Sequence, residues 1–289
     1  MYYQSALSKT ISYVEHNLCE SFSLDELTEI NGFSRWHFSR VFHLFTGYSI
    51  SEYIRGRRLS EAAVELVETS HKIIDIALDY QFSSQDAFTR SFTSAYGISP
   101  GRFRKLGQRK ILINPLDVSK IIWMQGGLEV KPEIIIIEDL KVMGLVYKGK
   151  NENQEIGGLW QEFFTRVQEI TSSKNNMKSY GICEPLEENV EDVDLDNPND
   201  FKYLAGVEVY DGKEIPKGME VWDVPHKKYA VFTHKGPVEM LGDTYKAIYS
   251  QWLPESGYEV VFTYDFELYD KDFKPGDKKS KMYIYIPIK

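Results

Sequence analysis

The sequence predicts two domains: an all-α N-terminal domain with two helix-turn-helix units, and a C-terminal α+β domain built on an antiparallel sheet. A motif recurs after 50 residues in the first third of the chain, which is typical of a duplicated structural unit. Beyond Leu128 the spacing of apolar residues changes from helical to strand-like. We therefore place the domains at 1–108 and 126–289, with a linker over 109–125.

The repeated motif covers residues 24–55 and 74–105. Each copy has an apolar stripe at helical spacing, a polar turn and a second apolar stripe, which predicts helix, turn and helix. In the second copy Ser83 and Asp86 have the spacing of a capping box, so Asp86 is either a structural residue or a contact residue. The matching positions are Leu24 with Ile74, Asp25 with Asp75, Ser34 with Ser84, Phe38 with Phe88, Arg40 with Arg90, Phe42 with Phe92, Gly47 with Gly97 and Ser49 with Ser99.

The second helix of each repeated unit lies in a stretch without acidic residues. No Asp or Glu occurs over 30–51 or over 87–116. Such a surface suits a polyanion, because each neutralised phosphate releases counterions. A solvated basic face is the alternative, but its recurrence on both second helices favours nucleic acid binding. The basic residues of the two stretches are Arg35, His37, Arg40, His43, Arg90, Arg102, Arg104, Lys105, Arg109 and Lys110.

A predicted helix over 50–69 joins the two repeated units. About 20 residues at 1.5 Å each span about 30 Å, which is close to the roughly 34 Å turn of B-DNA. One chain could then place its two second helices in successive major grooves on one face of the duplex. The sequence therefore predicts a protein that binds double-stranded DNA as a monomer.

Charge and cysteine use narrow the remaining classes of function. Residues 1–109 hold 12 basic and 12 acidic side chains, whereas residues 110–289 hold 22 and 31, which accounts for the net charge of −9. The acidic half is therefore not expected to contact nucleic acid. Cys19 and Cys183 indicate neither a disulfide framework nor a metal site, and we expect no cofactor. With no signal peptide and no apolar run of membrane length, we expect a cytoplasmic protein.

The C-terminal half contains two strand-helix-strand-strand patterns, each preceded by one further strand. This repetition predicts an antiparallel sheet domain with pseudo-two-fold symmetry. Residues 184–200 carry eight acids and no base, which indicates a solvated, mobile loop rather than an EF-hand site. The predicted strands are 128–130, 142–147, 179–183, 203–209, 219–221, 229–233, 260–269 and 282–288, and the predicted helices are 159–170 and 238–253.

Residues 5–108 resemble the AraC/XylS family of DNA-binding regulators. The resemblance is carried by Arg58-Leu59, Ala62, Leu66, Ile73, Ile76-Ala77, Gln81-Phe82, Phe88, Phe92, Gly97 and Ser99-Pro100. It implies that the two units bind one asymmetric promoter site, that RNA polymerase is a further partner, and that the regulator activates genes for drug or stress tolerance. The residues that it implicates in base contacts are Trp36, Ser39 and Arg40 in the first unit and Gln85, Asp86, Thr89 and Arg90 in the second.

The types of these residues suit base recognition. Arginine matches guanine, glutamine matches adenine, and tryptophan can contact thymine methyl groups. Ser39 and Asp86 stand where members of the family often carry glutamine. An acid at that place would repel phosphates and could accept a hydrogen bond from the cytosine amino group, so the base preference of this chain does not follow from the resemblance.

Residues 126–289 resemble a GyrI-like effector-binding domain, and the two resemblances together are those of a Rob-type regulator. The second is carried by Met219-Glu220-Val221, Val224-Pro225, Lys228-Tyr229-Ala230, Lys235-Gly236-Pro237, Phe266-Glu267-Leu268-Tyr269-Asp270 and Tyr283-Ile284-Tyr285-Ile286-Pro287-Ile288. It implies that a small molecule, in several relatives an organic cation, meets a glutamate inside an aromatic-lined groove. The matching positions here are Glu267, Trp160, Tyr180 and Tyr203.

The alternation of residues gives a different expectation for Glu267. The large apolar residues of 260–269 fall on one face of the predicted strand and Glu267 falls on the other, which strict alternation predicts to be wet. The domain could also be a protein-binding module or a small-molecule hydrolase. No Ser-His-Asp, Cys-His or metal-ligand spacing is visible in the sequence, so we predict that the protein is not an enzyme.

Overall fold

A computed structural model describes residues 2–23, 26–27, 35–107, 109–121, 130–149, 155–184, 201–261 and 263–289. The chain forms two compact units, and the first ends near residue 122. Most of the first helix of the first repeat and the acidic segment 185–200 lie outside the described residues, as do the side chains of Trp36 and Arg40.

The first unit is helical, as predicted. α2 is the second helix of the first repeat, and α4 and α5 form the second repeat. The connecting helix, α3, has 19 residues and is about 28 Å long at 1.5 Å per residue, which confirms the predicted connection. The described helices are α1 Tyr2–His16, α2 Arg35–Thr46, α3 Ile50–Glu68, α4 Ile73–Asp79, α5 Gln85–Tyr96 and α6 Pro100–Leu106.

Aromatic side chains bury one face of α5 against α3 and α6. Phe88, Phe92 and Tyr96 follow each other at intervals of four residues, so they lie on one face of the helix. The rings of Phe92 and Tyr96 stack with centroids 4.4 Å apart, and Phe103 of α6 meets Phe92 edge-on at 5.2 Å. The opposite face of α5 is therefore left exposed.

Serine side chains fix where α3 and α5 begin. The Ser49 hydroxyl accepts a hydrogen bond from the Glu52 amide at 3.1 Å, and the Glu52 carboxylate accepts one from the Ser49 amide at 2.7 Å. α5 is capped by Ser84, whose hydroxyl accepts a hydrogen bond from the amide three residues later. The capping box predicted for Ser83 and Asp86 is therefore wrong, because Ser84 is the cap.

Two consecutive buried arginines hold α1 and the segment after it against α3. Arg57 forms ion pairs with Glu15 of α1 at 2.8 Å and with Glu61 at 2.7 Å. Arg58 donates hydrogen bonds to two carbonyl oxygens of residues 18–20, at 2.9 and 2.8 Å. A buried guanidinium is costly without such partners, so these contacts specify the position of α1.

Residues 111–116, within the predicted linker over 109–125, are packed against α3. Three of their amides and one of their carbonyl oxygens hydrogen-bond to the side chains of Tyr53, Arg57 and Ser60. This part of the chain is therefore not a free linker, because side chains of α3 satisfy its backbone polar groups. The first compact unit accordingly extends beyond the boundary that the sequence predicted at residue 108.

The described part of the second unit is an antiparallel sheet with two helical segments. One segment is α7, Glu155–Arg166, which continues into a 3-10 turn. The other runs from a 3-10 turn at Val238–Met240 through α8, Leu241–Ala247, and a π-helical turn, Ile248–Trp252, to α9, Leu253–Ser256. The strands are β1 Glu133–Ile137, β2 Leu140–Gly149, β3 Ser179–Glu184, β4 Phe201–Glu208, β5 Met219–Val224, β6 Lys227–Lys235, β7 Asp265–Tyr269 and β8 Lys281–Ile288.

The strand order of the sheet is β1-β6-β8-β7-β3-β4-β2-β5. Exchanging β1 with β5, β2 with β6, β3 with β7 and β4 with β8 gives the same order in reverse. The predicted pseudo-two-fold duplication is thereby confirmed, with the symmetry axis between the central strands β7 and β3. Each half also lends its first strand to the other half, since β1 pairs with β6 and β5 pairs with β2.

The strand predicted at 128–130 lies largely outside the described residues, and the first described strand is Glu133–Ile137. Another predicted strand is shorter than expected. The strand predicted over 260–269 begins at Asp265, and Val260 makes an isolated bridge to β8 instead. Apolar spacing reports which residues are buried, and it does not report where the backbone finds a partner strand.

Candidate functional site

Glu267 lies on β7 at the centre of the sheet, on the face that carries both helical segments. Cross-strand partners share a face, and the register runs from Phe232 through Ile284, Glu267 and Gly181 to Ala205. α7 packs over β2 and β4, and the second helical segment packs over β6. The carboxylate therefore lies between the strands that the two segments cover, and Glu267 is 8% exposed.

Three tyrosine hydroxyls donate hydrogen bonds to this carboxylate. Tyr245 of α8 binds Oε1 at 3.1 Å, whereas Tyr203 of β4 and Tyr269 of β7 bind Oε2 at 3.3 and 3.2 Å. The three phenols come from a helix and two strands that are far apart in the sequence. The site therefore depends on the folded sheet and on α8 together.

Aromatic rings connect the carboxylate with the surface. Trp160 of α7 donates its indole N–H to the Tyr203 hydroxyl at 3.2 Å and meets the Tyr269 ring edge-on at 5.2 Å. On the side towards solvent the Trp160 ring stacks with that of Phe164 at 5.5 Å, and Phe164 is 57% exposed. Phe164 and Trp160 thus form an aromatic path from solvent to Glu267.

Gly181 makes room for this arrangement. It lies directly opposite Glu267 in the pairing of β3 with β7. A Cβ atom at residue 181 would lie 1.9 Å from the Tyr203 hydroxyl oxygen and 3.1 Å from Glu267 Oε2. Any larger side chain would displace the phenol, so the absence of a side chain at Gly181 is part of the site.

Two of these phenols are held in their neutral form. Burial raises the pKa of Tyr203 well above 10, and the neighbouring Tyr269 and Glu267 raise it further. Burial and then Glu267 raise the pKa of Tyr269 in the same way. Both residues are therefore hydrogen-bond donors at neutral pH. The site combines an acid, neutral donors and aromatic faces, a set of groups that can hold an organic cation by Coulomb and cation–π attraction.

The structure brings together three of the four residues implicated by resemblance. Glu267, Trp160 and Tyr203 meet as described, but Tyr180 does not join them. Its cross-strand partner is Leu268, and its ring contacts Phe266 on the opposite face of the sheet, 6.1 Å between centroids. The placement of Tyr180 beside Glu267 is therefore wrong, because neighbouring residues of a strand point to opposite faces.

The exposure predicted for Glu267 from alternation is also wrong. The alternation assigned the faces correctly, since Phe266 and Leu268 lie in a buried cluster on the other side. The prediction of exposure failed because the second face is covered too, by the two helical segments, so Glu267 is buried. Tyr269 and Tyr245 also belong to the site, although neither was predicted from the sequence. Tyr269 shares the face of Glu267 two residues away, and this signal could have found it.

The exposed face of α5 carries the residues predicted to contact bases. Gln85, Asp86 and Arg90 are exposed and Thr89 is half-buried, while the aromatic face of the helix is turned into the core. In the first repeat Ser39 is half-buried on α2. The predictions for Trp36 and Arg40 lie outside the described side chains.

Two basic residues of the acid-free stretches have structural contacts. Arg109 forms an exposed ion pair with Glu68 at the end of α3. Arg104 of α6 donates hydrogen bonds to the carbonyl oxygens of Leu66 and His71, at 2.9 and 2.7 Å. It thereby provides hydrogen-bond donors for carbonyl groups at the C-terminal end of α3 and in the turn that follows. Arg104 is therefore assigned to the fold, and the basic surface that remains is smaller than the sequence suggested.

The described residues also limit other kinds of site. They contain no group of three or more His, Cys, Asp or Glu side chains that could hold a metal ion. Within the same ranges, no helix is both long and apolar enough to cross a membrane.

A duplicated helix-turn-helix unit followed by a symmetric sheet with an acidic, aromatic centre defines a class of protein in which a DNA-binding module precedes a ligand-binding module. Residues 27–106 match a helix-turn-helix domain, and residues 131–289 match the GyrI-like small molecule binding domain. The chain belongs to the GyrI-like family, and its helix-turn-helix domain is of the AraC type, as in Rob-type regulators.

Several known regulators are similar to parts of this chain. The transcriptional regulator BrlR of Pseudomonas aeruginosa is 41% identical over 149 residues, which cover 51% of each protein. The HTH-type transcriptional activator AarP of Providencia stuartii is 44% identical over 100 residues, which cover 35% of this chain and 74% of AarP. The chain thus spans about half the length of BrlR.

A solved structure of SAV2435 bound to tetraphenylphosphonium covers 55% of this chain and 94% of its own. The two sequences are 21% identical and the TM-score is 0.43.

Proposed function

We propose that this protein is a sequence-specific transcription regulator whose C-terminal domain senses a small organic cation. The observation that carries the proposal is the Glu267 carboxylate, bound by three phenol hydroxyls at 3.1–3.3 Å beneath an aromatic path that begins at the surface. The helix-turn-helix domain would bind the promoter, and the negative charge of the carboxylate favours a cationic ligand.

The charge of the site favours a cation over an anion or a neutral ligand. A carboxylate that is 8% exposed lies in a region of low effective dielectric, where a charge attracts an opposite charge more strongly than in water. A cation beside Trp160 would also interact with the face of the indole ring. A lipophilic cation suits this place because most of its own surface is apolar.

We assign base-specific contacts with DNA to the exposed face of α5. Gln85 and Arg90 carry the donors that match adenine and guanine, and Asp86 can accept a hydrogen bond from cytosine. Because these residues are exposed at the beginning of the helix, they suit entry into a major groove. We further propose that the protein acts in the cytoplasm on one asymmetric promoter site as a monomer, and that it activates transcription through RNA polymerase.

The proposal is tested by selecting duplexes from random promoter fragments at one fixed salt concentration, with and without tetraphenylphosphonium. We expect one asymmetric site to be enriched and its affinity to change when the cation is present. Arg90→Ala should weaken the selected site by about 1–3 kcal/mol and weaken random DNA less. Equal losses on both kinds of DNA would show that Arg90 does not read bases.

The ligand half of the proposal is tested with a pair of variants of equal charge change. Glu267→Gln keeps the shape of the site and removes its charge, so we expect titration with tetraphenylphosphonium to show at least tenfold weaker quenching of tryptophan fluorescence. Glu259→Gln removes the same charge from an exposed ion pair with Lys289 and should bind as the unchanged protein does. Equal binding by both variants would contradict the assignment of the cation to Glu267.

Activation is tested separately by transcription from the selected promoter with purified RNA polymerase. An increase in transcript on addition of the protein is expected. A decrease would keep the DNA-binding assignment and make the protein a repressor.

A further inference from the structure

Residues 111–116 lie across α3 and are held mainly by hydrogen bonds. The amides of Leu112 and Ile113 donate to the Ser60 hydroxyl oxygen at 3.1 and 3.0 Å, and the Ile113 carbonyl accepts from Arg57 at 2.9 Å. The Leu116 amide donates to the Tyr53 hydroxyl at 3.1 Å. Tyr53, Arg57 and Ser60 are spaced by four and three residues, so they form one stripe along α3.

This segment contributes little apolar burial. The side chains of Ile111 and Leu112 are 47% and 39% exposed, and that of Ile113 is half-buried. Ile113 faces a notch in α3 made by Gly56, because a Cβ atom at residue 56 would lie 2.2 Å from the Ile113 Cδ1 atom. A segment with few apolar contacts and exchangeable hydrogen bonds opens more readily than a packed core.

The same part of α3 also holds α1 and the second helix-turn-helix unit. Tyr53 and Arg57 donate hydrogen bonds to Glu15 of α1, at 2.6 and 2.9 Å, while they also bind the segment. At the other end Tyr96, the last residue of α5, donates to the Leu59 carbonyl at 3.4 Å. Leu59 immediately precedes Ser60, so the Tyr96 phenol is bound one residue from the point where the segment is held.

We propose that residues 111–116 form a releasable strap that fixes α1 and the end of α5 to the connecting helix, and that release of the strap is how the C-terminal domain alters DNA binding. The second part rests on the proposed function. The strap is followed by the 3-10 turn Val118–Lys120, which contacts α1, and the first unit ends near residue 122. A change beyond the unit therefore reaches the contacts at Ser60 and Arg57 through this short last stretch of the chain. When the strap is released, Tyr53 and Arg57 lose the hydrogen bonds that they make with it. These two residues also bind Glu15 and thereby position α1.

A double-mutant cycle at the notch tests the strap in the full-length chain. Gly56→Ala places a methyl group where the Ile113 side chain lies, and alanine is otherwise better than glycine inside a helix. Ile113→Ala removes the atoms that would collide. We expect Gly56→Ala to speed amide hydrogen exchange of residues 111–116 at least tenfold when Ile113 is present, and less than threefold in the Ile113→Ala background.

Exchange in the neighbouring helices distinguishes a strap from a passive segment. Release should also speed exchange in the last turn of α1 and the last turn of α5, at least threefold, and the double variant should restore both. The proposal is overturned if residues 111–116 already exchange without protection in the unchanged protein. It is also overturned if Gly56→Ala acts equally in both backgrounds, or if release leaves both helices unchanged.

A second variant covers the case in which Gly56→Ala does not fold. Ser60→Ala removes the acceptor of two strap amides without adding any atom, so it should release the same residues and loosen the same helices. Unchanged exchange at 111–116 in Ser60→Ala would overturn the assignment of Ser60 as the docking point.

DNA affinity tests the regulatory part. On the selected site, Gly56→Ala should change the dissociation constant at least fivefold, and the double variant should return it to within twofold of Ile113→Ala. A released strap with unchanged affinity would overturn the regulatory role. If the unchanged protein selects no DNA site, the proposed function fails, and the exchange measurements still decide whether the strap exists.

Discussion

At the scale of single residues, the centre of the C-terminal sheet depends on a glycine that lies opposite a glutamate. Gly181 and Glu267 face each other across β3 and β7, and the space above Gly181 is taken by the Tyr203 hydroxyl. The acid is placed by β7, and the donor reaches it because β3 offers no side chain at this point. The position of Glu267 is therefore set by the register of β7 with β3. The hydrogen bond from Tyr203 is possible because Gly181 has no side chain.

Gly181→Ala should lower the stability of the protein and weaken cation binding. The added Cβ would displace Tyr203 from Glu267, and overpacking of this kind costs about 1–3 kcal/mol. Gly158→Ala is the control, since a Cβ at residue 158 of α7 meets no atom within 4 Å. We expect the control to be neutral or slightly stabilising in urea denaturation. Equal stability of the two variants would show that the phenol can move without cost.

Buried phenols also make stability depend on alkaline pH. Burial raises the pKa of Tyr285 to about 12 and raises those of Tyr203 and Tyr269 well above 10. In the unfolded chain tyrosine loses its proton near pH 10. Above that pH the folded state binds more protons than the unfolded state, so the free energy of unfolding should fall as pH rises from about 10 towards 12.

Denaturation with urea at several pH values between 8 and 11 measures this dependence. Tyr285→Phe should make the fall in stability shallower, because one raised pKa is removed. Tyr210→Phe, which removes an exposed phenol, should leave the slope unchanged. An identical pH dependence in all three proteins would contradict a contribution from Tyr285.

At the scale of elements, α3 is specified by its cap and by the partners on its buried face. The reciprocal bonds of Ser49 and Glu52 satisfy amides at the first turn of a helix that must hold two units apart. The two buried arginines, Arg57 and Arg58, then hold α1 and the segment after it through ion pairs and hydrogen bonds, which have a defined geometry. Capping sets where the helix begins, whereas Arg57 and Arg58 set what it touches.

Ser49→Ala should lower the free energy of unfolding of the helical unit by about 1 kcal/mol. Ser99→Ala is a matched control, because Ser99 stands at the same cap position of α6 but makes no side-chain capping bond. We expect a change of only a few tenths of a kcal/mol for the control. Urea denaturation followed by far-ultraviolet circular dichroism compares the two, and equal losses would refute the role of the capping bond.

At the scale of the whole molecule, the C-terminal limit of the DNA-binding unit is the last part of the chain that packs against its helices. The acidic half carries all of the net charge of −9, so its removal should not weaken attraction to DNA. The unit nevertheless needs more than the residues that repeat. The strap lies beyond the second repeat and completes the hydrogen bonding of α3.

A fragment of residues 1–121 should therefore be more stable than one of residues 1–108. The shorter fragment loses four hydrogen bonds to side chains of α3, at about 0.5–1.5 kcal/mol each, which predicts a loss of roughly 2–6 kcal/mol in the free energy of unfolding. Urea denaturation of the two fragments measures the difference. Equal stability would mean that residues 109–121 do not belong to the folded unit.

The sequence by itself determined the features that repeat or have a short period. The offset of 50 residues gave the two helix-turn-helix units, and the repeated strand and helix pattern gave the symmetric sheet. Local signals of this kind depend on residues near each other in the chain, so they can be read without a structure. The face of β7 that carries Glu267 was also predictable from alternation.

The tertiary structure decided which groups meet. Tyr203 and Tyr245 reach Glu267 from 64 and 22 residues away, and the strap reaches Ser60 from more than 50. Alternation could not show that helices cover the Glu267 face, or that each half of the sheet lends a strand to the other. These features arise from contacts between distant segments. The energy of such contacts depends on how the chain packs in three dimensions, which no local pattern reports.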